Sequence, residues 1–438
     1  MKRKIRLTMA AMTTAAVLAM AGCSSSGGGE TVQGQAPAKE KGDAIQVASV
    51  IDTEEGKETF NRIAENFEKE TGIEVEVLQL ADFEETMKTR MASGELPDIW
   101  TTHGWSVRRY SEYLAVLNDQ PWYDRVDEAA LGVIKDDGGN IYVLPLTTVI
   151  TPICCNFDVL EDAGVEPKEI RTLADFEEAC EKIKAIGKVP IYIGGKDFGN
   201  ASGFMNSFAP MMFTNEGCPY PGEKELLDGT FDWDKYGTLL MEKFAEFVQK
   251  GYINENITTA DTVAAQTALG NGDCAFVLRG MPNVTNARYY VKNANVGMIP
   301  TPSVAEDAPS TYYAGEGTCF GIWKDTEHFE ECCKFLEYLA KPEIVAEFAN
   351  MDGTIPALKD VKISGNYTND VYNESLEWFK DDVVFDNLFD RKYLPSGMWG
   401  VLSDSILEVA VDPSEEGIAA AVELMKENYT MKFEEMNQ

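Results

Sequence analysis

Apolar residues recur along this chain in two alternating rhythms. Residues 44–51 form a short apolar run, read as a buried strand. Across residues 59–69, Phe60, Ile63, Ala64 and Phe67 fall three or four apart and mark one face of a helix. Thr71-Gly72 ends it. Residues 73–80 then alternate apolar and polar as a strand does, residues 82–92 return to helical spacing, and Ile99-Trp100 ends a third strand. This β-α-β-α-β order predicts a parallel sheet covered by helices. Gly138-Gly139-Asn140 is a turn before a strand at 141–144. A second series follows. Thr172 caps a helix running to Gly187, and a strand at 189–193 stops at Gly194-Gly195. Residues 233–249 form a helix with Leu240, Phe244, Phe247 and Val248 inward. Strands are expected at 274–278, 296–299 and 317–323, and helices at 327–340 and over most of 413–436. No repeat with a period of 20–50 residues occurs, which excludes a solenoid.

The first 43 residues break this rhythm. Lys2-Arg3-Lys4-Ile5-Arg6, an apolar run from Leu7 to Met20 and the small residues before Cys23 describe a secretory signal peptide. The run is short for a membrane span. Leu18-Ala19-Met20-Ala21-Gly22-Cys23 resembles the lipobox of bacterial lipoproteins. That resemblance implies removal of residues 1–22 and a lipid on Cys23, with the mature protein anchored outside the cytoplasmic membrane; an ordinary cleaved signal is the alternative. Residues 23–43 are Ser-, Gly-, Gln- and Pro-rich and have almost nothing to bury, so a disordered linker is expected. Twenty such residues reach about 25 Å.

Composition narrows the partners. The remaining length exceeds one ordinary core and suggests two domains. The chain has 73 acidic and 38 basic residues, a net charge of −35, and loss of the signal peptide would make it more negative. Such a field disfavours nucleic acid and anionic lipid surfaces. Nine cysteines in an exported chain suggest disulfides, but Cys154-Cys155 and Cys332-Cys333 are adjacent pairs in apolar elements. Cys332 and Cys333 share a helical stripe with Phe329, Leu336 and Leu339, so all four read as small core hydrophobes. No spacing of cysteine or histidine fits a metal site, and no cofactor is implied.

Five segments, in order, carry a family resemblance. They are Phe67-Glu68-Lys69-Glu70-Thr71-Gly72-Ile73; Ala92-Ser93-Gly94-Glu95-Leu96-Pro97-Asp98-Ile99; Tyr142-Val143-Leu144-Pro145-Leu146 with Asn156 and Val159-Leu160-Glu161-Asp162-Ala163-Gly164-Val165; Gly297-Met298-Ile299-Pro300-Thr301-Pro302; and Gly321-Ile322 with Phe335-Leu336-Glu337-Tyr338-Leu339-Ala340-Lys341-Pro342-Glu343 and Phe348-Ala349. Together they resemble the extracellular solute-binding proteins of ABC importers, in the carbohydrate-type family that includes maltose-binding protein. The resemblance implies an α/β, two-lobe periplasmic-binding-protein-like fold (type II) with ligand in the cleft. By position, one lobe would hold residues 44–148 and 303–355 and the other 149–302 and 356–438. The chain would cross between them near 147–149, 300–302 and 355–356. It further implies a lipid-anchored monomer that captures a mono- or oligosaccharide by hinge closure. The sugar would pass to permease subunits driven by a separate ATPase. A non-sugar solute such as a polyamine, peptide or sugar phosphate, or a polysaccharide-docking role, are the alternatives.

A sugar site needs flat apolar faces and a few placed polar groups. The family places ligand contacts in the loop that here holds His103, Gly104 and Trp105, and a stacking aromatic where Ser396-Gly397-Met398-Trp399 stands. Core packing is the alternative for Trp399, and an exposed or core aromatic the alternative for Trp105. Loops at the carboxyl ends of strands add Asp52, Glu54, Lys196, Asp197, Phe198 and Arg279. Glu316 lies where the family has a glycine-rich loop. A solvated loop position is the alternative for each charged residue. Phe204, Tyr312 and Tyr313 are further aromatics for the cleft lining, whereas Trp100, Trp122, Trp233, Trp323 and Trp378 read as structural. Two positions depart from the family. Cys155 replaces a frequent tyrosine before Asn156, and Pro282 replaces a tryptophan two residues after Gly280. An enzyme is not indicated, for the chain lacks a nucleophile elbow, a phosphate loop and a dinucleotide fingerprint.

Overall fold

Short apolar runs between helices gather into three sheets in the computed structural model, which describes residues 44–436 apart from 52–53, 81–82, 103–106, 137, 364 and 381. In chain order the strands are β1 (Ile45–Ala48), β2 (Val75–Leu78), β3 (Ile99–Thr101), β4 (Val143–Pro145), β5 (Thr147–Thr151), β6 (Ile153–Asn156), β7 (Val189–Ile191), β8 (Cys274–Leu278), β9 (Val296–Ile299), β10 (Ser310–Glu316), β11 (Cys319–Ile322), β12 (Ile355–Pro356) and β13 (Val383–Asn387). The first sheet runs β2-β1-β3-β11-β4, the second β12-β5-β10-β13 and the third β7-β8-β6-β9. β1 is parallel to β2 and β3, and β7 to β8. β11 returns antiparallel between β3 and β4.

Two aromatic cores pack against the first and third sheets, and β8 and β9, buried along their whole length, are continuous apolar runs. Around the first sheet, Phe60 stacks on Phe320 at 5.5 Å and meets Phe335 and Phe348 edge-on. Beside the third sheet, Phe204 stacks on Phe208 at 4.2 Å and meets Phe244 and Phe247. A smaller cluster with Ile150, Cys154, Val277, Tyr312 and Val371 joins the second and third sheets. The three segments expected to cross between lobes meet in the second sheet. β5 pairs with β12 through Thr147–Pro356 and Thr148–Ile355, and Thr301 bridges to Thr311 of β10.

Two motif residues have plain structural work. Asp98, almost fully buried, accepts hydrogen bonds from the Gln46 backbone N–H at 2.8 Å and the Thr326 hydroxyl at 2.6 Å. It thereby ties β1 to the segment after β11. Asn156 caps the Phe157–Asp162 helix through Val159 N–H and donates to the Leu269 carbonyl at 2.7 Å. Thr172 caps its helix as expected, and Asp175 completes a capping box with it.

Several expectations need correction. Tyr312 and Tyr313 do not line a cleft; they are fully buried core residues, and Phe204, 1% exposed, packs in the core behind the Asn200–Arg279 corner. Tyr312 bonds the Ser375 hydroxyl and Tyr313 accepts from Asn215. Phe329 is 38% exposed because it begins the Phe329–Leu339 helix, before that helix turns its stripe inward; Cys332 is buried and Cys333 only half so. Residues 233–237 form a wider π turn that precedes the Thr238–Gln249 α-helix. β11 starts at Cys319, two residues later than expected, because Gly317 backs onto Thr147, where a Cβ would lie 2.3 Å from the hydroxyl oxygen. The eight cysteines among the described residues are unpaired thiols.

The turn before β4 carries a testable acid sensitivity. Asp136 accepts from the Tyr142 hydroxyl at 2.7 Å and from both nitrogens of Asn140. These bonds, that from Tyr142 foremost, hold its carboxyl at about 2, below the ordinary 3.8. A carboxylate with a depressed pKa stabilises the fold above its unfolded value, and that contribution fades as pH falls from about 4 to about 2. Asp136→Asn is therefore expected to flatten the loss of melting temperature across that window. An acid limb identical to the parent's would show that this turn contributes nothing.

Candidate functional site

In the third sheet, parallel β7 and β8 end on the same edge, and the loops that follow bring the candidate residues together. The turn after β7 holds Lys196, Asp197, Phe198, Gly199 and Asn200; Arg279 follows β8 directly. Trp399 sits in the first turn of the Met398–Val411 helix, not in a loop, and is half-buried. Its indole packs against Gly199, where a Cβ would fall 1.8 Å from the ring nitrogen, so no larger residue fits. Gly199 also has φ +74°, which favours glycine. The Arg279 guanidinium lies over the Trp399 ring, 4.7 Å from its centroid. Such an arrangement is a cation–π pair.

Hydrogen bonds hold this corner in place. Arg279 donates to the Asn200 side-chain oxygen, and Asn200 donates to the Gly194 carbonyl at 2.8 Å. Asn283 donates to the Arg279 carbonyl and Gln266 donates to Asn283 at 3.1 Å. Burial lowers the Arg279 pKa, opposed by Asp197 and Asp390, and the guanidinium stays charged. Asp197 accepts from Thr262 N–H at 2.8 Å and from its hydroxyl at 2.6 Å, which pulls its carboxyl below the ordinary range. It therefore braces the Thr262–Asn271 helix and lends charge to Arg279. Lys196 points elsewhere, 3.9 Å from Asp261 and largely exposed. Phe198 is 78% exposed, with its ring against Gly400, and extends the apolar surface beside Trp399.

A polar path leads from this corner to the first sheet. Asp390 lies within electrostatic reach of Arg279, and its neighbour Arg391 donates to the Glu316 carbonyl at 3.0 Å and pairs with the Glu316 carboxylate at 3.5 Å. Glu316 ends β10 and is 4% exposed, so it is no solvated loop residue. Tyr110 stands beside Glu316 and Cys319; burial foremost, then these two groups, push its hydroxyl well up. Thr102, after β3, donates its backbone N–H to the Cys319 carbonyl at 3.1 Å. The side-chain oxygens of Thr102, Tyr110 and Thr148 are buried and find no hydrogen-bond partner in the structure.

Of the sequence candidates, Trp399, Asp197, Phe198 and Arg279 gather at one corner, and Glu316 lies along the path leading from it. Asp52, His103, Trp105 and Cys23 lie outside the described residues, and Glu54 opens the first helix. Sequence reasoning missed Asn200, Arg391, Tyr110, Thr102 and Asn283. Asn200 shares the glycine-rich turn with Asp197 and was open to the same strand-end rule; Arg391, in the short Phe389–Lys392 helix, carries no local signal.

Residues 62–374 match the family described as bacterial extracellular solute-binding protein. The chain is 30% identical over 374 residues to the melibiose/raffinose/stachyose-binding protein MelE of Bacillus subtilis (strain 168), covering 84% of this chain and 85% of that one. It is 26% identical to the sn-glycerol-3-phosphate-binding periplasmic protein UgpB of Escherichia coli (strain K12), over 50% of each chain. A putative binding protein MsmE of Bacillus subtilis, solved in an open conformation, superposes with a TM-score of 0.82 at 28% identity, covering 90% of this chain and 98% of that chain. A sugar transporter of Bacillus licheniformis in complex with stachyose superposes with a TM-score of 0.72 at 29% identity, covering 89% and 99%.

Proposed function

Because the chain belongs to the bacterial extracellular solute-binding proteins, we propose that it is the sugar-capturing subunit of an ABC importer, with an α-galactoside oligosaccharide of the raffinose kind as cargo. The observation that carries this reading is the Trp399–Arg279–Asn200 corner. An indole bordered by fixed N–H donors is what a sugar ring needs: an apolar face to lie on and donors for its hydroxyls. The exposed Phe198 ring beside it suits a ligand longer than one sugar unit.

Charge separates a neutral sugar from a phosphate ester. Arg279 faces Asp197 and Asp390, and Arg391 is paired with Glu316. Three carboxylates thus offset two guanidinium groups, leaving no net positive charge to hold a phosphate. A dianion entering this corner would meet Asp197, Asp390 and Glu316 without a surplus of cations.

The rest of the reading follows from the same premise. Residues 44–148 with 303–355 form one lobe and 149–302 with 356–438 the other, hinged where β5, β12 and the Thr301 bridge meet. Trp105, His103, Asp52 and Glu54 are the further ligand-binding candidates of this reading. Ligand bridging both lobes favours the closed state. Cys23 carries the lipid, residues 1–22 are removed, and the closed monomer delivers its sugar to the permease without changing it.

A thermal-shift panel of raffinose, stachyose, melibiose and sn-glycerol 3-phosphate tests the proposal. A ligand at 100 times its dissociation constant adds about 2.7 kcal/mol to the folded state. Stabilisation by the galactosides and not by the phosphate ester is expected. A shift with the phosphate ester alone, or with none of the sugars, overturns the reading.

A further inference from the structure

Behind the Trp399 corner, a closed circuit of hydrogen bonds ties the loops after β7 and β8 to one another. Asp197 holds the first turn of the Thr262–Asn271 helix through the Thr262 N–H and hydroxyl. One turn further on, Gln266 donates to the Asn283 side-chain oxygen at 3.1 Å. Asn283 donates to the Arg279 carbonyl and, at 3.2 Å, to the Gly280 carbonyl. The Arg279 guanidinium donates to Asn200, whose backbone N–H returns to the Asp197 carbonyl at 3.1 Å.

The members behind Arg279 are hidden from solvent: Gln266 is 5% and Asn283 6% exposed, and Cys154 is fully buried. The Asn283 amide has both its ends engaged, so it acts on a ligand through Arg279 rather than by contact. Gln266 presents an N–H to the amide oxygen, which turns the amide nitrogen toward the two carbonyls. The Cys154 thiol, a weaker donor, reaches the same two carbonyls at 3.7 Å and 3.5 Å. The grip falls where the chain bends out of β8: Gly280 has φ +32°, and the Met281 N–H is taken by the Ile150 carbonyl at 3.1 Å. Arginine has many rotamers, and a guanidinium already held in its binding pose loses less freedom when ligand arrives. Such a group must be held to within about 0.5 Å by the residues behind it. We propose that Asn283 is a positioning residue for the ligand site: it fixes the Arg279–Gly280 backbone and thereby holds the guanidinium over Trp399. Its effect on affinity rests on the sugar reading above; its effect on Trp399 does not.

Tryptophan fluorescence of the ligand-free protein and titration with raffinose test this together. Asn283→Ala is expected to change the emission, because the cation over the Trp399 ring moves. The same substitution in a Trp399→Phe background is expected to change nothing. Raffinose affinity is expected to fall about tenfold. Loss of a buried amide lowers the melting temperature whatever its role, so the signal that depends on Trp399 is the deciding one. If Asn283→Ala does not fold, Gln266→Met, which removes the donor that orients the amide, is expected to give the same spectral change. A folded variant with the parent's Trp399 emission overturns the proposal, and so does a changed emission with the parent's raffinose affinity. If the parent itself binds no raffinose, the cargo reading falls, and the Trp399 signal still decides whether Asn283 positions Arg279.

Discussion

Arg391→Met is expected to lower the unfolding free energy by about 3 kcal/mol, at the low end of what breaking a buried ion pair costs. Glu316 is 4% exposed at the end of β10, and the Arg391 guanidinium lies 3.5 Å from its carboxylate while also donating to its carbonyl at 3.0 Å. The approach depends on Gly315, where a Cβ would fall 2.6 Å from the guanidinium nitrogen. Methionine keeps the apolar stem and removes the charge. The carboxylate then stays in a buried place beside Tyr110 and Cys319, without its guanidinium. Arg391 itself is 19% exposed, which keeps the expected loss at the lower end. Adding Glu316→Gln to Arg391→Met should recover part of the loss, because no unpaired charge remains. Urea denaturation reads both variants; an unchanged midpoint for the single variant would show that water already solvates the pair.

Trp399→Ala is expected to weaken sugar binding by about 1–3 kcal/mol, roughly 5- to 150-fold. The indole is half-buried, lies on Gly199 and carries Arg279 over its ring. Its loss removes the stacking surface and also frees Arg279 from one of its supports, leaving Asn200 and the carboxylates of Asp197 and Asp390. Trp399→Phe should retain part of the affinity, since a smaller ring still offers a face. Titration with raffinose, alongside a melting curve to establish that the variant is folded, reads the effect. Full affinity in folded Trp399→Ala would take this residue out of the site.

Much of the secondary structure was legible because it rests on local pattern. The Phe60, Ile63, Ala64 and Phe67 spacing marks a helix whose apolar face must find a core, and Thr172 marks a helix start by its own side chain. The Ser202–Phe213 helix was not legible. It is buried on nearly every side, so its composition has no polar face and no period. β10 was missed for a related reason. Ser310, Thr311 and Glu316 read as polar, yet every residue of that strand is buried between neighbours supplied by distant segments.

The candidate site divides the same way. Strand ends closed by glycines, visible in the sequence alone, placed Asp197, Phe198 and Arg279 where α/β sheets present their loops. The order of strands and helices, the family resemblance and the chemical types at the loop ends were thus determined by the chain itself. Only the tertiary structure decided which of these groups are free to meet a ligand. Asp197 is taken up by Thr262, 65 positions away, and Glu316 by Arg391, 75 positions away. Whether a charge is satisfied depends on what folding brings within about 3–4 Å of it, and at such separations along the chain no local pattern records that distance.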